Sequence, residues 1–346
     1  MTGDHQVMIG DKLIGRGLPV LVQTMYDSAL PQDRESLDAL LRRIGSLNSM
    51  GCDIIRFSYP SLDDHEAFSY ICSKSPIAVV ADIHFDYRLA LDALLCGAHK
   101  IRINPGNIGT RWKVDEVVRS AKDHGSAIRI GLNSGSLPKG REDVPTLMSN
   151  TALEYVNWFE QLSFSNTVVS LKASDPDITL EANRLFAGQS DYPLHLGVTE
   201  AGSIVSAITR STWALGHLLN EGIGNTIRIS ITADIETEVQ AGVELLRTLH
   251  LRKKGIRIVS CPRCGRHSFD SQGFLASVEP DLLRIDKDLT VAIMGCQVNG
   301  PGEAKSADIA ITGMGASIFL YEKGKFVKKV TQQDAKAALL DAIEHA

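Results

Sequence analysis

The chain has 346 residues, of which 44% are hydrophobic and 22% charged, with a formal net charge of −5. That length exceeds one ordinary compact domain and suits a barrel plus a smaller domain, while the acidic balance argues against a nucleic-acid surface. No apolar run reaches the roughly 18 residues of a membrane span, and Met1 to Gly10 lacks the basic and apolar regions of a secretory signal, so a cytoplasmic location is expected.

From residue 1 to 250, short β-branched runs alternate with helical patterns about every 25 to 30 residues, the signature of βα units. Strands are expected at Val20–Met25, Asp53–Ser58, Ile77–His84, Lys100–Asn104, Ala127–Asn133, Thr167–Ser174, Leu194–Thr199 and Thr226–Thr232, with helices such as Glu35–Met50, Tyr87–Cys96, Thr146–Leu162 and Ser203–Glu221 between them. Eight strands, each followed by a helix, predict an α/β fold of the (β/α)8 TIM-barrel type.

The strand ends carry an unusual polar load: Arg56 and Ser58, Asp82 and His84, Arg102 and Asn104, Arg129 and Asn133, Lys172 and Ser174, His195 and Thr199, Arg228 and Ser230. Residues two apart share a strand face, and the C-terminal strand ends are where barrel enzymes place their active sites. A single polar residue there could simply face solvent, but barrel strands are covered on both sides and are expected to be nearly all apolar. Arg56, Arg102, Arg129, Lys172 and Arg228 converging on one mouth would be costly to desolvate without an anion, most simply a phosphate or diphosphate, which arginine forks suit. Asn104-Pro105-Gly106-Asn107-Ile108-Gly109 and Thr199-Glu200-Ala201-Gly202 are glycine-containing segments after strands that suit an oxyanion, although each alone reads as an ordinary βα turn. Neither a Walker nor a dinucleotide motif occurs.

Of the six cysteines, Cys52, Cys72 and Cys96 stand in or beside apolar runs and read as small buried hydrophobes, and a reducing compartment argues against three disulfides. The polar break Leu251-Arg252-Lys253-Lys254-Gly255 divides a barrel over residues 1–252 from a small α+β domain over 253–346. Here Ile256–Ser260 reads as a strand running into Cys261-Pro262-Arg263-Cys264, and Leu289–Met294 as one leading into Cys296. Asp308–Thr312 is a further strand. Ile318–Tyr321 and Phe326–Val330 read as a hairpin, and Thr331 as the N-cap of a final helix through His345. Three cysteines and Glu303, seven residues after the third in a glycine-rich loop, suit an iron–sulfur cluster used for chemistry. Spacing alone leaves zinc open, through Cys261, Cys264, Cys296 and His267. Against zinc stand the lack of a paired fourth cysteine, the small-residue loop, and the need of a barrel anion site for a reactive partner. A glutamate in place of a fourth cysteine would leave one iron exchangeable.

These residues together resemble the bacterial 4-hydroxy-3-methylbut-2-enyl diphosphate synthase family, iron–sulfur enzymes of the non-mevalonate isoprenoid pathway. The similarity includes Val80-Ala81-Asp82-Ile83-His84-Phe85-Asp86-Tyr87, Arg102 to Gly109, Arg129-Ile130-Gly131, Lys172-Ala173-Ser174-Asp175, Leu194-His195-Leu196-Gly197, Thr199 to Gly202, Glu221-Gly222-Ile223-Gly224, Cys261 to Cys264 and Val298 to Ala304. The resemblance implies a two-electron reductive ring opening and dehydration of 2-C-methyl-D-erythritol 2,4-cyclodiphosphate to the linear allylic diphosphate. It implies a [4Fe–4S] cluster on Cys261, Cys264, Cys296 and Glu303. It carries diphosphate contacts onto Arg56, Arg102, Arg129, Lys172 and Ser230, and other pocket roles onto Asp82, His84, Asn104, Asn133, Glu200 and Asn299. Glu200 is the first candidate proton donor or stabiliser and His84 the second, histidine being a residue type whose charge can change near neutral pH. Flavodoxin or ferredoxin is the implied electron donor and a homodimer the implied assembly. The sequence departs from the family at Gln23-Thr24-Met25-Tyr26-Asp27 and in a shorter loop from Gly135 to Pro145, both bordering the expected mouth. The competing classes are a non-redox barrel enzyme with a structural zinc domain, such as an aldolase or pterin-type synthase, and a cluster-bearing regulator. The regulator would need the basic, aromatic surface that this sequence lacks.

Overall fold

Period-two alternation decides the first unit. In Ala127-Ile128-Arg129-Ile130-Gly131-Leu132-Asn133, the isoleucines and leucine fall on one face and Arg129 on the other. A strand with two such faces needs helices on one side and a closed interior on the other. The computed structural model, which describes residues 5–137, 142–262, 264–265, 268–296, 300–314 and 317–346, provides both. The chain divides into two units, Met1–Arg252 and Lys253–Ala346.

The first unit opens with a hairpin, β1 (Gln6–Ile9) and β2 (Lys12–Gly15). Eight parallel strands follow: β3 (Leu21–Met25), β4 (Ile54–Ser58), β5 (Ala78–Asp82), β6 (Lys100–Ile103), β7 (Ala127–Asn133), β8 (Thr167–Lys172), β9 (His195–Leu196) and β10 (Thr226–Ile227). They hydrogen-bond in the order β8-β7-β6-β5-β4-β3-β10-β9. Val169 bridges Leu194 across the remaining gap, and Val169 N–H donates to Pro193 O at 2.9 Å. The interposed helices are α1 (Arg34–Ser49), α2 (His65–Lys74), α3 (Tyr87–Leu95), α4 (Pro105–Ile108), α5 (Arg111–Asp123), α6 (Val144–Gln161), α7 (Pro176–Ala187), α8 (Ile204–Asn220) and α9 (Ile235–Thr248). Aspartates cap several of them: Asp33, Asp86, Asp143 and Asp175 each accept from a first-turn backbone N–H.

Two apolar layers result. Outward residues such as Ile55, Val79, Ile101, Ile128, Ile130 and Val169 pack against the helices. Inward residues at the N-terminal ends of the strands (Leu21, Ile54, Ala78, Val80, Ala127 and Val168) pack against Val7, Ile9 and Ile14 of the hairpin. The sequence reading missed this hairpin; its strands have four residues each, and it stops one end of the barrel with aliphatic side chains. The predicted eight strands are all present, but β9 and β10 pair over two residues each. Asn104 to Gly109, expected as a loop, contains the single-turn helix α4.

The second unit is α+β. Its sheet runs β11 (Ile256–Ser260), β12 (Leu289–Met294), β13 (Ile309–Met314), β14 (Ser317–Glu322), β15 (Lys325–Val330), with β11–β13 parallel and β13–β15 antiparallel. Its helices are α10 (Ser271–Leu282), α11 (Gly300–Ser306) and α12 (Ala335–His345). The predicted β14–β15 hairpin is tighter than read: Lys323 and Gly324, at φ of 47° and 75°, form a two-residue turn of the kind that matches strand twist. The N-cap of α12 is Asp334, not the expected Thr331. Thr331 Oγ1 instead accepts from Asp334 N–H at 3.2 Å, closing a turn before the helix.

Ile14→Ala should destabilise the first unit by about 2–5 kcal/mol, the usual cost of an unfilled apolar site, measured by denaturant unfolding; a change within error would mean that the hairpin does not close the barrel interior.

Candidate active site

Above the aliphatic layer the barrel interior turns cationic. On β5, β6 and β7, Asp82, Arg102 and Arg129 are paired across one rung. Arg56 lies on β4 and Lys172 ends β8, in register with Asn133 at the end of β7. The strand alternation that sends isoleucines to the helices sends these side chains inward. Lys100, two residues before Arg102, joins them and donates to Gln23 Oε1 at 3.4 Å. Arg56, Asp82, Lys100, Arg102, Arg129 and Lys172 are all buried, Lys100 completely and Arg129 with 1% exposure.

Asp82 binds two arginines: Oδ1 lies 3.2 Å from Arg102 and Oδ2 3.7 Å from Arg56. Burial alone would raise its carboxyl, but Arg56, Arg102 and Arg129 hold it down at about 2. Arg228, expected among the cations awaiting an anion, is already paired. Glu238 of α9 accepts from its Nη2 at 2.7 Å and its Nε at 3.0 Å, and also from Thr24 Oγ1 at 2.8 Å. This is a correction to the expected five-cation ring. The signal for it was weak, because Glu238 lies on a helix whose other buried residues are mostly aliphatic.

Six cations (Arg56, Lys100, Arg102, Arg129, Lys172 and Arg228) therefore share this interior with the carboxylates of Asp82 and Glu238. Burial first, then mutual repulsion, pushes Lys100, Arg129 and Lys172 well below their ordinary values, and burial pulls Arg56 down to about 10. Among the described residues, Arg129 Nε and Nη2 have no hydrogen-bond partner, while its Nη1 donates to Ser170 at 3.2 Å. Buried unsatisfied charged donors are rare and costly, and an anion relieves both the repulsion and the unmet donors.

Two glycines make the crowding possible. A Cβ at Gly131 would lie 2.3 Å from Arg102 Nε, and one at Gly197 would lie 2.8 Å from Lys172 Nζ and 2.7 Å from Arg228 O. His195, fully buried, bridges Lys172 and Thr226: Lys172 Nζ is 3.1 Å from Nε2, and Thr226 Oγ1 is 2.7 Å from Nδ1. Burial and the neighbouring Lys172 lower the ring well below its usual 6.5, so the neutral ring accepts from Lys172 and donates through Nδ1–H.

The remaining expected residues fall around this layer. Asn104 is buried and caps α4, accepting from Gly106 N–H at 3.1 Å. Asn133 is half-buried at the end of β7, and Ser230 is half-buried beyond β10. His84 is exposed, with Nε2 3.6 Å from Asp82 Oδ2. Glu200 is exposed with φ of 52°, a left-handed conformation uncommon for a non-glycine residue. Asn299 lies outside the described residues. A cavity of about 420 Å³ is lined by Met25, Asp27, Arg228 and Glu238 among others. A larger one of about 670 Å³, bounded by Arg16, Tyr192 and Asn225, contains none of the expected site residues.

In the second unit, Cys261 follows β11 and Cys296 follows β12. Cys261 N–H donates to Ile293 O at 3.3 Å, so both cysteines leave the same end of adjacent parallel strands. Ser268 N–H donates to Gly295 O at 2.9 Å and ties the segment after Cys264 to this end. Ala304 and Ala307, within and just after α11, pack with Met294 and Cys261, so Glu303 belongs to a helix seated at the cysteine-bearing part of the sheet. Cys261 is half-buried, Cys264 exposed and Cys296 buried, and none is in a disulfide. Among the described residues, the ligand atoms of these three cysteines and Glu303 do not converge within 4.8 Å as the ligands of one ion would. The alternative zinc ligand His267 lies outside the described residues.

A barrel interior with a surplus of buried cations, in a chain that also carries three cysteines free of disulfides, suits a redox enzyme acting on a phosphorylated substrate. The family model described as the GcpE TIM-barrel domain matches residues 4–243, and that of the GcpE protein C-terminal domain matches residues 257–345. The chain belongs to the GcpE family. It is 45% identical over 345 residues to the 4-hydroxy-3-methylbut-2-en-1-yl diphosphate synthase (flavodoxin) of Geobacter sulfurreducens, covering 98% of this chain and 97% of that one. It is also 45% identical over 343 residues to the protein of the same name from Symbiobacterium thermophilum, covering 98% and 92%. In fold alone it resembles the dihydropteroate synthases of Yersinia pestis (TM-score 0.52, 12% identity, 72% of this chain and 98% of that one) and Vibrio fischeri (0.53, 13%, 71% and 98%). Among the described residues no helix is long and apolar enough to cross a membrane.

The His195 ring should stay neutral, with its proton on Nδ1, through pH 6.5, as read from ring nitrogen shifts. Because the unfolded ring takes up a proton at its ordinary value and the folded ring does not, this residue's contribution to stability is present above about pH 6.5 and declines as pH falls below it. A ring half-protonated near pH 6.5 would contradict the Lys172–His195–Thr226 arrangement.

Proposed function

We propose that this chain reduces 2-C-methyl-D-erythritol 2,4-cyclodiphosphate by two electrons, opening its ring and releasing water to give 4-hydroxy-3-methylbut-2-enyl diphosphate, an isoprenoid precursor. The relatives' printed activity supports the reaction. The observation that carries it in this chain is the buried Arg129 with two unmet donors in a surplus of cations.

Arg56, Arg102, Arg129 and Lys172 grip the diphosphate, with Ser230 as a neutral donor. Arginine forks fix its orientation as well as its charge. Asp82 remains ionised and holds Arg56 and Arg102 to its two oxygens. Asn104, Asn133 and Asn299 complete the pocket. Binding a doubly phosphorylated ring against a preset charge layer is orientation done in advance of the chemistry. Glu200, in its protonated form, supplies the proton that turns the leaving oxygen into water, from a residue held in a left-handed backbone conformation; His84, beside Asp82, is the second candidate. Cys261, Cys264, Cys296 and Glu303 would hold a [4Fe–4S] cluster, which supplies one-electron transfer when bound. Reduced flavodoxin, named for the relatives, is the donor in this account, and the assembly is a homodimer in the cytoplasm.

The decisive experiment is an EPR spectrum of anaerobically prepared, dithionite-reduced protein with and without the cyclic diphosphate. A cluster signal that changes with substrate is expected; protein holding zinc and no iron would overturn the redox assignment. Arg129→Ala should weaken binding of the cyclic diphosphate by about 10-fold or more, the loss of a charge-assisted contact, in a calorimetric titration; an unchanged affinity would remove the cation layer from substrate binding.

A further inference from the structure

A second group of metal-ligating side chains sits on the helical wall of the barrel, built from residues that the reaction does not use. His65 is the first residue of α2. Asp92 lies on α3, and Cys96 caps that helix four residues later, so both point from one helix face. One ligand atom from each of the three lies within 4.8 Å of the other two. His65 Nδ1 is 2.9 Å from Asp92 Oδ1 and 3.3 Å from Cys96 Sγ.

From this geometry we infer that His65, Asp92 and Cys96 form a binding site for a single divalent transition-metal ion, zinc above all, with a water completing the shell. Three donors of nitrogen, oxygen and sulfur type are a set that zinc accepts in tetrahedral coordination. Their mutual spacing, within 4.8 Å, is one that a single small ion can bridge. The carboxylate is already oriented: the buried Tyr59 hydroxyl donates to Asp92 Oδ2, leaving Oδ1 toward His65. Burial and the Asp92 contact push the Tyr59 phenol upward, which keeps it a donor, the kind of supporting contact that fixes metal-ligating carboxylates. The imidazole is half-exposed while Cys96 is buried, so an ion reaches the thiol past the ring. On binding, the Cys96 thiol proton leaves to solvent, and the thiolate with the Asp92 carboxylate balances the two charges of the ion; no oxidant is involved. Cys96, read from sequence as a small hydrophobe, is thereby a ligand that ties the start of α2 to the end of α3.

The test uses the full-length, cluster-loaded protein exposed anaerobically to one equivalent of zinc and then dialysed. Metal analysis should find one zinc per chain with iron unchanged, and zinc-edge X-ray absorption should show one sulfur at about 2.3 Å with lighter donors at about 2.0–2.1 Å. His65→Ala, at a half-exposed position, and Cys96→Ala should each lower retained zinc at least 10-fold without changing iron. No retained zinc in the wild type, equal zinc in His65→Ala, or a shell of three or four sulfurs (zinc on Cys261, Cys264 and Cys296) would each overturn the assignment.

Discussion

Everything in the first unit is arranged around a surplus of buried positive charge. Lys100 and Arg129 are as inaccessible as the leucines of the core, yet a charge without a partner is among the costliest things a protein can bury. The surrounding structure tolerates it by local means. Asp82 is split between two guanidinium groups, Glu238 takes Arg228 and Thr24, a neutral imidazole accepts from Lys172, and glycines stand where side chains would collide with the cations. What is left over is the unmet N–H groups of Arg129, donors of the sign that an anion requires. Charge that is costly to bury alone is complementary to a diphosphate, which is the role the proposed function gives it.

Much of this was legible in the sequence because β-strand geometry is simple. Arg102 and Asn104, or Arg129 and Asn133, are spaced so that one face reads polar while isoleucines occupy the other, and no conventional buried strand looks like that. The barrel and the cationic layer followed. Features built from long-range contacts were not legible. Glu238 is an unremarkable helical glutamate in sequence; it meets Arg228 only because α9 packs beside β3 and β10. His195 was visible as a polar residue in a strand, but its exchange between Lys172 and Thr226 depends on register. The β1–β2 hairpin was overlooked because four-residue strands near a terminus carry little periodic signal, and Thr331 was misread as a cap because a capping hydroxyl and a turn-closing hydroxyl look alike one turn before a helix.

The two thiol-bearing regions illustrate how geometry separates chemistries that share residue types. Cys261 and Cys296 follow adjacent parallel strands and leave the same end of the sheet, with Cys264 three residues after Cys261. Cys96, read from sequence as a small buried hydrophobe, lies 3.3 Å from the His65 ring, which in turn lies 2.9 Å from the Asp92 carboxylate. Sequence motifs emphasise the first set because Cys261 and Cys264 are close in the chain. The second is assembled by two helices, and only packing brings it together.

The seam of the barrel sets its dynamics. β9 and β10 pair over two residues each, and Val169 with Leu194 is the isolated bridge that completes the ring. Ladder hydrogen bonds are what hold amide protons against exchange, and regions with few of them open at lower free energy than the strands around them. The amides of Leu196 to Arg228 that close this seam should therefore lose protection before those of β5 to β8. The two strands that carry His195 and lead into Arg228 are then the ones best able to part. Such opening would fall on the β9–β10 side of the charged interior, across the barrel from the strands that carry Asp82, Arg102 and Arg129.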